Sequence, residues 1–315
     1  MLRKIRLIAA TLCFVLITLL FLDFTGTLHG WFGWLAKIQF LPAVLALNVG
    51  VVLFLVLLTL AFGRVYCSVI CPLGVFQDVV ARIGRRGKKL PYSYSPALSW
   101  LRYGVLFVFV LALVAGVGSL VALLAPYSAY GRIANNLFQS LWMWGNNLFA
   151  YLAARVESYA FYEVDVWMKS LPTFLVALAT LVVLVVLAWR NGRTYCNTIC
   201  PVGTVLGFIS RYSLYRVTID TDKCNSCGLC ARQCKAACIN SKEHKIDGSR
   251  CVACMNCLDT CRKNALTYAP VWKTKKQATG TEKPEPEDKT NLSRRRALSA
   301  TALVMMGSAL KAQEK

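Results

Sequence analysis

Histidine is nearly missing from this 315-residue chain: there are two, and only His29 lies near an apolar segment. A haem held between two histidines is thereby excluded. Carboxylates are scarce, 15 against 36 lysines and arginines. Charged residues make up only 16% of the chain, where roughly 25% is usual for a soluble protein. No G-x-G-x-x-G or Walker pattern occurs, which leaves direct NAD chemistry and ATP hydrolysis without a site. What the chain has instead is 57% hydrophobic residues and 14 cysteines.

The apolar residues fall in long blocks before residue 190. A span needs about 20 of them to cross a hydrocarbon core roughly 30 Å thick. Four blocks qualify, 5–22, 41–62, 101–124 and 171–189. Arg3, Lys4 and Arg6 precede the first; Arg64, Arg82, Arg85, Arg86, Lys88 and Lys89 follow the second; Arg190 and Arg193 follow the fourth. The opposite segments hold Lys37, then Arg132, Arg155 and Lys169, offset by Glu157, Glu163 and Asp165. The positive-inside rule then puts both termini on the cytoplasmic side. This distribution makes the net charge of +21 a topology signal and not a nucleic-acid surface. The first block lacks a small-residue cleavage site, so an uncleaved span is expected, not a signal peptide. Arg102, at the start of the third block, can reach the interface with its long stem. The segment 125–170 carries Trp142, Trp144, Tyr151, Tyr159, Phe161, Tyr162 and Trp167. It reads as helices lying on the membrane surface, or as a surface facing a partner or a quinone.

A repeat decides the architecture. GRVYCSVICPLG at 63–74 recurs as GRTYCNTICPVG at 192–203, eight of twelve positions being identical. Each copy follows an even-numbered block, which points to a duplicated two-helix unit whose halves share an axis along the membrane normal. The segments 73–83 and 202–212 after the copies alternate apolar and polar residues at helical spacing and read as interfacial helices.

Eight cysteines form two runs of C-x2-C-x2-C-x3-C, at 224–234 and 251–261. Three closely spaced thiolates wrap one cubane, and the fourth cysteine of each run reaches the other cluster. Cys224, Cys227, Cys230 and Cys261 are the expected ligands of one [4Fe–4S] cluster, and Cys251, Cys254, Cys257 and Cys234 of a second. Two zinc sites are the alternative, but zinc ribbons use paired C-x2-C and not triplets with a trailing cysteine. Residues 219–268 resemble the bacterial-type two-cluster ferredoxins, with Lys235 and Arg262 standing where those have proline. Those cations should raise the cluster potentials if they lie near the sulfurs. Cys238 reads as a small buried residue, and His244 as a surface one.

The repeat itself carries Cys67-x3-Cys71-Pro72 and Cys196-x3-Cys200-Pro201. Residues four apart on a helix share a face, about 5–6 Å apart, and the proline ends or kinks the helix. Two such pairs would bring four thiols towards one axis. They could hold a metal or a third iron–sulfur centre, cycle as a dithiol with a quinone or a disulfide, or only let helices approach closely.

Duplicated C-x3-C-P motifs, four apolar blocks and a two-cluster segment together resemble the NapH and NosR type of membrane polyferredoxin, over about residues 1–270. The resemblance implies an all-α polytopic membrane domain of four transmembrane helices (1–215). A small α+β two-cluster ferredoxin-like domain (216–270) would follow on the cytoplasmic face of a bacterial inner membrane. A polar linker (271–292) and a short apolar tail with a twin-arginine-like start (293–315) depart from that pattern. By that similarity the chain is expected to pass electrons between the quinone pool and redox partners such as other iron–sulfur or reductase subunits, as a quinol dehydrogenase subunit. The alternatives are an accessory protein supplying electrons for maturation or redox regulation of a reductase, and a structural anchor. No residue stands out as an acid–base catalyst. Asp23, at the far end of the first block, is a candidate for a proton path or an ordinary interfacial carboxylate.

Overall fold

The computed structural model describes residues 2–23, 26–87, 92–155, 162–165 and 170–272, the side chains of 85–87 excepted. The expected linker beyond 272, the twin-arginine-like tail, Lys88, Lys89, Glu157, Tyr159, Phe161, Trp167 and Lys169 lie outside the described residues. The chain divides into two units, Met1–Val271 and Trp272–Lys315; the architecture below is that of the first.

The unit opens with α1 (Leu2–Leu22), two short helices α2 (Thr27–Phe32) and α3 (Trp34–Lys37), then α4 (Phe40–Leu45) and α5 (Val49–Phe62). The first C-x3-C-P copy supplies α6 (Val65–Val69) and α7 (Pro72–Gly87). Next come α8 (Ser99–Val114), α9 (Gly118–Leu124), α10 (Pro126–Ile133), a π-helical turn Ala134–Phe138 and α11 (Gln139–Ala154). The second copy is α12 (Leu171–Asn191), α13 (Thr194–Thr198) and α14 (Pro201–Ser210).

Among the described residues two helices, α1 and α12, are long and apolar enough to cross a membrane. The blocks expected at 41–62 and 101–124 are interrupted. After α4 the amide of Asn48 bonds the Ala43 carbonyl and that of Leu47 bonds Val44, with Leu47 left-handed at φ 50°. After α8 the amide of Val117 bonds Ala112 and that of Gly116 bonds Leu113, with Gly116 at φ 73°. Both are Schellman stops, in which a left-handed residue satisfies the last helical carbonyls. Asn48 then caps the next helix by accepting from the Val51 amide at 3.3 Å.

The region after α9 departs further from the expected surface helices. In α10, Tyr130 and Ile133 are fully buried, and Tyr130 packs among Phe14, Phe21 and Phe76 while its hydroxyl meets Thr18 Oγ1 at 2.6 Å. Only α11 stays outside, exposing Trp142, Trp144 and Tyr151. Nor is α14 interfacial: Pro201, Val202, Gly203, Thr204, Leu206, Gly207 and Ser210 are all buried. The mixed polarity of these segments reflects close helix packing and not a water boundary.

The cysteine-rich segment folds as β1 (Tyr215–Ile219), α15 (Leu229–Gln233), β2 (Ile239–Asn240), β3 (Lys245–Ile246), α16 (Asn256–Thr260) and β4 (Leu266–Pro270). β1 pairs antiparallel with β4, from Tyr215 opposite Pro270 to Ile219 opposite Leu266; β2 and β3 form a second hairpin. The domain is tied to the helices by polar contacts. The Leu214 amide donates to the Leu60 carbonyl, and the Tyr268 hydroxyl to that of Phe62. Arg3 at the start of α1 pairs with Asp259 at 2.9 Å.

The strongest tie is Asp78 on α7, which accepts Arg6 from α1, Arg193 from the second copy at 2.8 Å and Lys235 from the cysteine-rich domain at 3.3 Å. Burial would raise the Asp78 carboxyl, but Arg193, then Lys235 and Arg6, more than offset it and hold it well below its usual range. Asp78→Asn should cost about 3–5 kcal/mol, because removing one partner of a buried ion pair strands the others. A folded-state pKa below the unfolded one means the contribution is present above about pH 4 and fades as pH falls below it. Thermal unfolding in detergent should therefore give a lower midpoint for the variant at pH 7. The gap should narrow only in strong acid, and equal midpoints at pH 7 would refute the assignment.

Candidate functional site

The two C-x3-C-P copies have the same backbone. α5 and α12 each end at a glycine of positive φ, Gly63 at 74° and Gly192 at 71°, a conformation that strains any residue with a Cβ. A one-turn helix carrying the first cysteine follows each, and the proline opens the next helix at N1, where its missing N–H costs nothing. At Gly192 a Cβ would lie 2.6 Å from the Lys235 carbonyl oxygen, so glycine also admits the cysteine-rich domain.

The copies then cross. Arg193 Nη1 donates to the Cys67 carbonyl at 2.6 Å, and its counterpart Arg64 Nη2 donates to the Cys196 carbonyl at 3.1 Å. Cys67, Cys71, Cys196 and Cys200 are all buried. Burial first, then the neighbouring thiols, push Cys71 and Cys200 above the ordinary thiol range. Burial also raises Cys196, against the pull of Arg193. Cys67, Cys71 and Cys200 share one packed core, with Gln77 Nε2 at 3.3 Å from Cys196 Sγ and Arg64 Nη2 at 3.9 Å from Cys67 Sγ. Arg64 is fully buried, and among the described residues no carboxylate lies within ion-pair distance of it. Its Nε and Arg193 Nη2 have no hydrogen-bond partner. A buried cation without a counter-charge is costly. A metal-bound set of thiolates would supply that charge, so the donor set fits a metal–sulfur centre.

In the cysteine-rich domain the eight ferredoxin-type cysteines separate into two cavities. One, of about 220 Å³, is lined by Cys224, Cys227, Cys230 and Cys261. The other, of about 20 Å³, is lined by Cys234, Cys251, Cys254 and Cys257, together with Cys238. Each thus takes three cysteines from one run and the fourth from the other. The loops around them share a strained backbone 27 residues apart: Ser226 and Ala253, Gly228 and Met255, Ala237 and Asn264 are all left-handed. Non-glycine residues hold such angles only where the surroundings over-determine them, commonly at binding sites. Among the described residues no three His, Cys, Asp or Glu side chains close on a single metal ion. A cubane spreads its ligands over four irons, so wider spacing suits it.

The second cavity faces the crossed motifs. The Arg193 amide donates to the Lys235 carbonyl at 2.9 Å, and Asn197 Nδ2 to that of Ala236 at 3.3 Å. Arg64 and Arg102 both donate to the Ser249 carbonyl at 3.1 Å. The first cavity is bordered by exposed Arg262 and Lys263 and by exposed Cys227.

Four readings change with this geometry. Arg102 does not reach out to the interface; it is 3% exposed and clamps Ser249. Lys235 is not a free cation: it shares Asp78 with Arg6 and Arg193. Asp23 accepts from the amides of Gly26, Leu28 and His29, which makes it a cap for α2. His244 lies against Ser226 Oγ at 3.2 Å, inside the first cluster loop. The pairing of Arg64 and Arg193 across the repeat was missed, although both stand at the same place in the two copies.

The protein-family description "4Fe-4S binding domain" matches residues 44–91 and 173–218. Those segments are the two C-x3-C-P units and stop short of the ferredoxin-type runs. An uncharacterized protein of Methanocaldococcus jannaschii is 25% identical over 279 residues, covering 87% of this chain and 89% of its own length. Ferredoxin-type protein NapH of Haemophilus influenzae is 28% identical over 240 residues, 73% of this chain and 70% of its own. The chain is similar to ferredoxin-type electron-transport proteins over much of its length. A putative electron transport protein, YccM of Escherichia coli, is 21% identical over 236 residues, 73% of this chain and 57% of YccM. No solved structure matches. Each matched "4Fe-4S" segment holds only two cysteines, so four cysteine ligands there require both copies.

At Gly203 a Cβ would run into the Cys196 carbonyl and lie 2.8 Å from Arg64 Nη2, whereas at Gly104 on α8 it would meet nothing within 4 Å. Alanine favours a helix over glycine by about 1 kcal/mol, and overpacking costs about 1–3 kcal/mol. Gly203→Ala should therefore lower the unfolding midpoint and Gly104→Ala leave it unchanged or higher. Equal responses would mean that the crossing is not tightly packed.

Proposed function

We propose that this chain is a multi-pass membrane iron–sulfur protein that moves electrons between the quinone pool and a soluble redox partner on the cytoplasmic side. The observation that carries the reading is the sorting of twelve cysteines into three groups of four, buried where the two copies cross and reaching the surface at Cys227. Cys67, Cys71, Cys196 and Cys200 would hold one iron–sulfur centre at the junction of the two copies. Cys234, Cys251, Cys254 and Cys257 would hold a [4Fe–4S] cluster next to it, and Cys224, Cys227, Cys230 and Cys261 another near the surface. Such clusters, when bound, supply one-electron carriers; the protein sets their place and surroundings. Arg64 and Arg193 fix the two copies against each other and offer positive charge to the buried thiolates. Arg102 and Asp78 hold the proximal cavity against them. Exposed Leu, Val and Phe side chains along α1, α5, α8 and α12 suit a lipid surround, with the basic ends of α1 and α12 on the ferredoxin side suiting a cytoplasmic face.

Iron and acid-labile sulfide on anaerobically purified protein, with EPR redox titration, test this beside a variant with Cys67, Cys71, Cys196 and Cys200 all changed to serine. Two cubanes account for about eight irons. More than eight in the parent, falling to about eight in the variant, is expected; about eight in both would remove the junction centre. Zinc in place of iron would sink the electron-transfer reading. In proteoliposomes, reduction of the EPR signals by a quinol analogue is expected, and reduction by dithionite alone would leave an accessory electron donor without a quinone site.

A further inference from the structure

The proximal cavity holds one thiol more than a cubane needs. Beside its four expected ligands it is lined by Cys238, which is 1% exposed. Cys238 Sγ lies 3.4 Å from Cys234 Sγ, and Cys251 lines the same cavity. A small residue filling a gap would explain its burial, but the domain contains its own control. The two cysteine runs repeat at 27 residues, so Cys234 corresponds to Cys261 and Cys238 to Ala265. Ala265 is equally buried at 1% exposure, and its amide reaches Cys261 Sγ at 3.3 Å. Packing at this place asks for a methyl group, and the first half puts a thiol there.

Five thiols cannot each take a corner of a four-iron cubane. Cys234 and the C-x2-C-x2-C run fill the corners in the pattern the other half uses, where no fifth thiol exists. Cys238 then keeps its proton. Its neighbour Cys234 Sγ, as a ligand sulfur, carries none and can only accept, and a thiol is a weak donor. Hydrogen bonds to the sulfurs of a cluster are one of the levers on its potential; by drawing off negative charge they favour the reduced form.

We propose that Cys238 is a non-ligating thiol that donates its one S–H to Cys234 Sγ and raises the reduction potential of the proximal cluster. It is a positioning residue: it acts through the ligands. It makes two sites with the same four-cysteine donor set unequal, and it does so on the membrane side of the pair. The inference rests on reading the two cavities as cubane sites.

The test uses the full-length chain, purified anaerobically, as Cys238→Ala, Cys238→Ser and Ala265→Cys. Iron content and EPR-monitored redox titration are measured for each. Cys238→Ala copies the other half of the domain and should keep the parent's iron while one ferredoxin-type midpoint falls and the other stays. Cys238→Ser restores a donor and should bring that midpoint part of the way back. Ala265→Cys, the converse change, should raise the midpoint that Cys238→Ala left alone. Midpoints unmoved by Cys238→Ala with iron intact would overturn the proposal, and so would loss of iron from both Cys238 variants, which would make Cys238 a ligand. Absence of two [4Fe–4S] signals in the parent would overturn the underlying reading instead, so the two failures are distinguishable.

Discussion

The structure between the apolar helices and the cysteine-rich domain depends on two buried guanidinium groups that reach across an internal repeat. Arg64 and Arg193 each leave their own copy and bond the carbonyl of the first cysteine in the other. An arginine can do this because its planar fork makes several bonds from one position and keeps its charge when buried. Glycine must then stand at 74 and 203, because a Cβ at either place would strike a cysteine carbonyl and a guanidinium. The C-x3-C-P motif is thus half of a device: two thiols, an arginine for the partner copy and a glycine that leaves room for the partner's arginine.

Symmetry holds at the crossing and fails just beyond it. Arg193 pairs with Asp78, but the residue corresponding to Asp78 in the second copy is Gly207. A Cβ there would meet Arg102 and the Ser249 carbonyl, so this place in the second copy has no room for a carboxylate beside the cysteine-rich domain. Arg64 bonds Asn197 and Ser249 in its place. A duplicated unit carrying one appended domain cannot present the same face twice. The appended domain settles on the copy that lacks the acid, and Lys235 reaches across to Asp78 on the copy that has it.

The cysteine-rich domain repeats the theme on a smaller scale. Its left-handed residues recur at a spacing of 27, as its cysteines do, so each cysteine loop is bent around its thiols in the same way. Where the halves differ, at Cys238 and Ala265, the difference is one of chemistry at constant burial. The proximal half is held by arginines and by a lysine paired with Asp78, while the distal half borders exposed Arg262 and Lys263.

The sequence alone determined the numbers: eight cysteines at cubane spacing, four more at a duplicated proline, and the sharing of fourth cysteines between runs. Local chemistry carries that information, because ligand spacing and helix stops act over a few residues. Only the tertiary structure decided what those residues meet. The blocks at 41–62 and 101–124 looked continuous because hydropathy is blind to a left-handed leucine at 47. The segments 125–170 and 202–212 read as surface helices, but 126–133 within the first and 201–210 are packed against other helices. What Arg102, Lys235 and Cys238 face was hidden for the same reason. A charge or a thiol takes its role from the group facing it, and Ser249, Asp78 and Cys234 come to face them through folding, across 147 and 157 residues of chain in the first two cases.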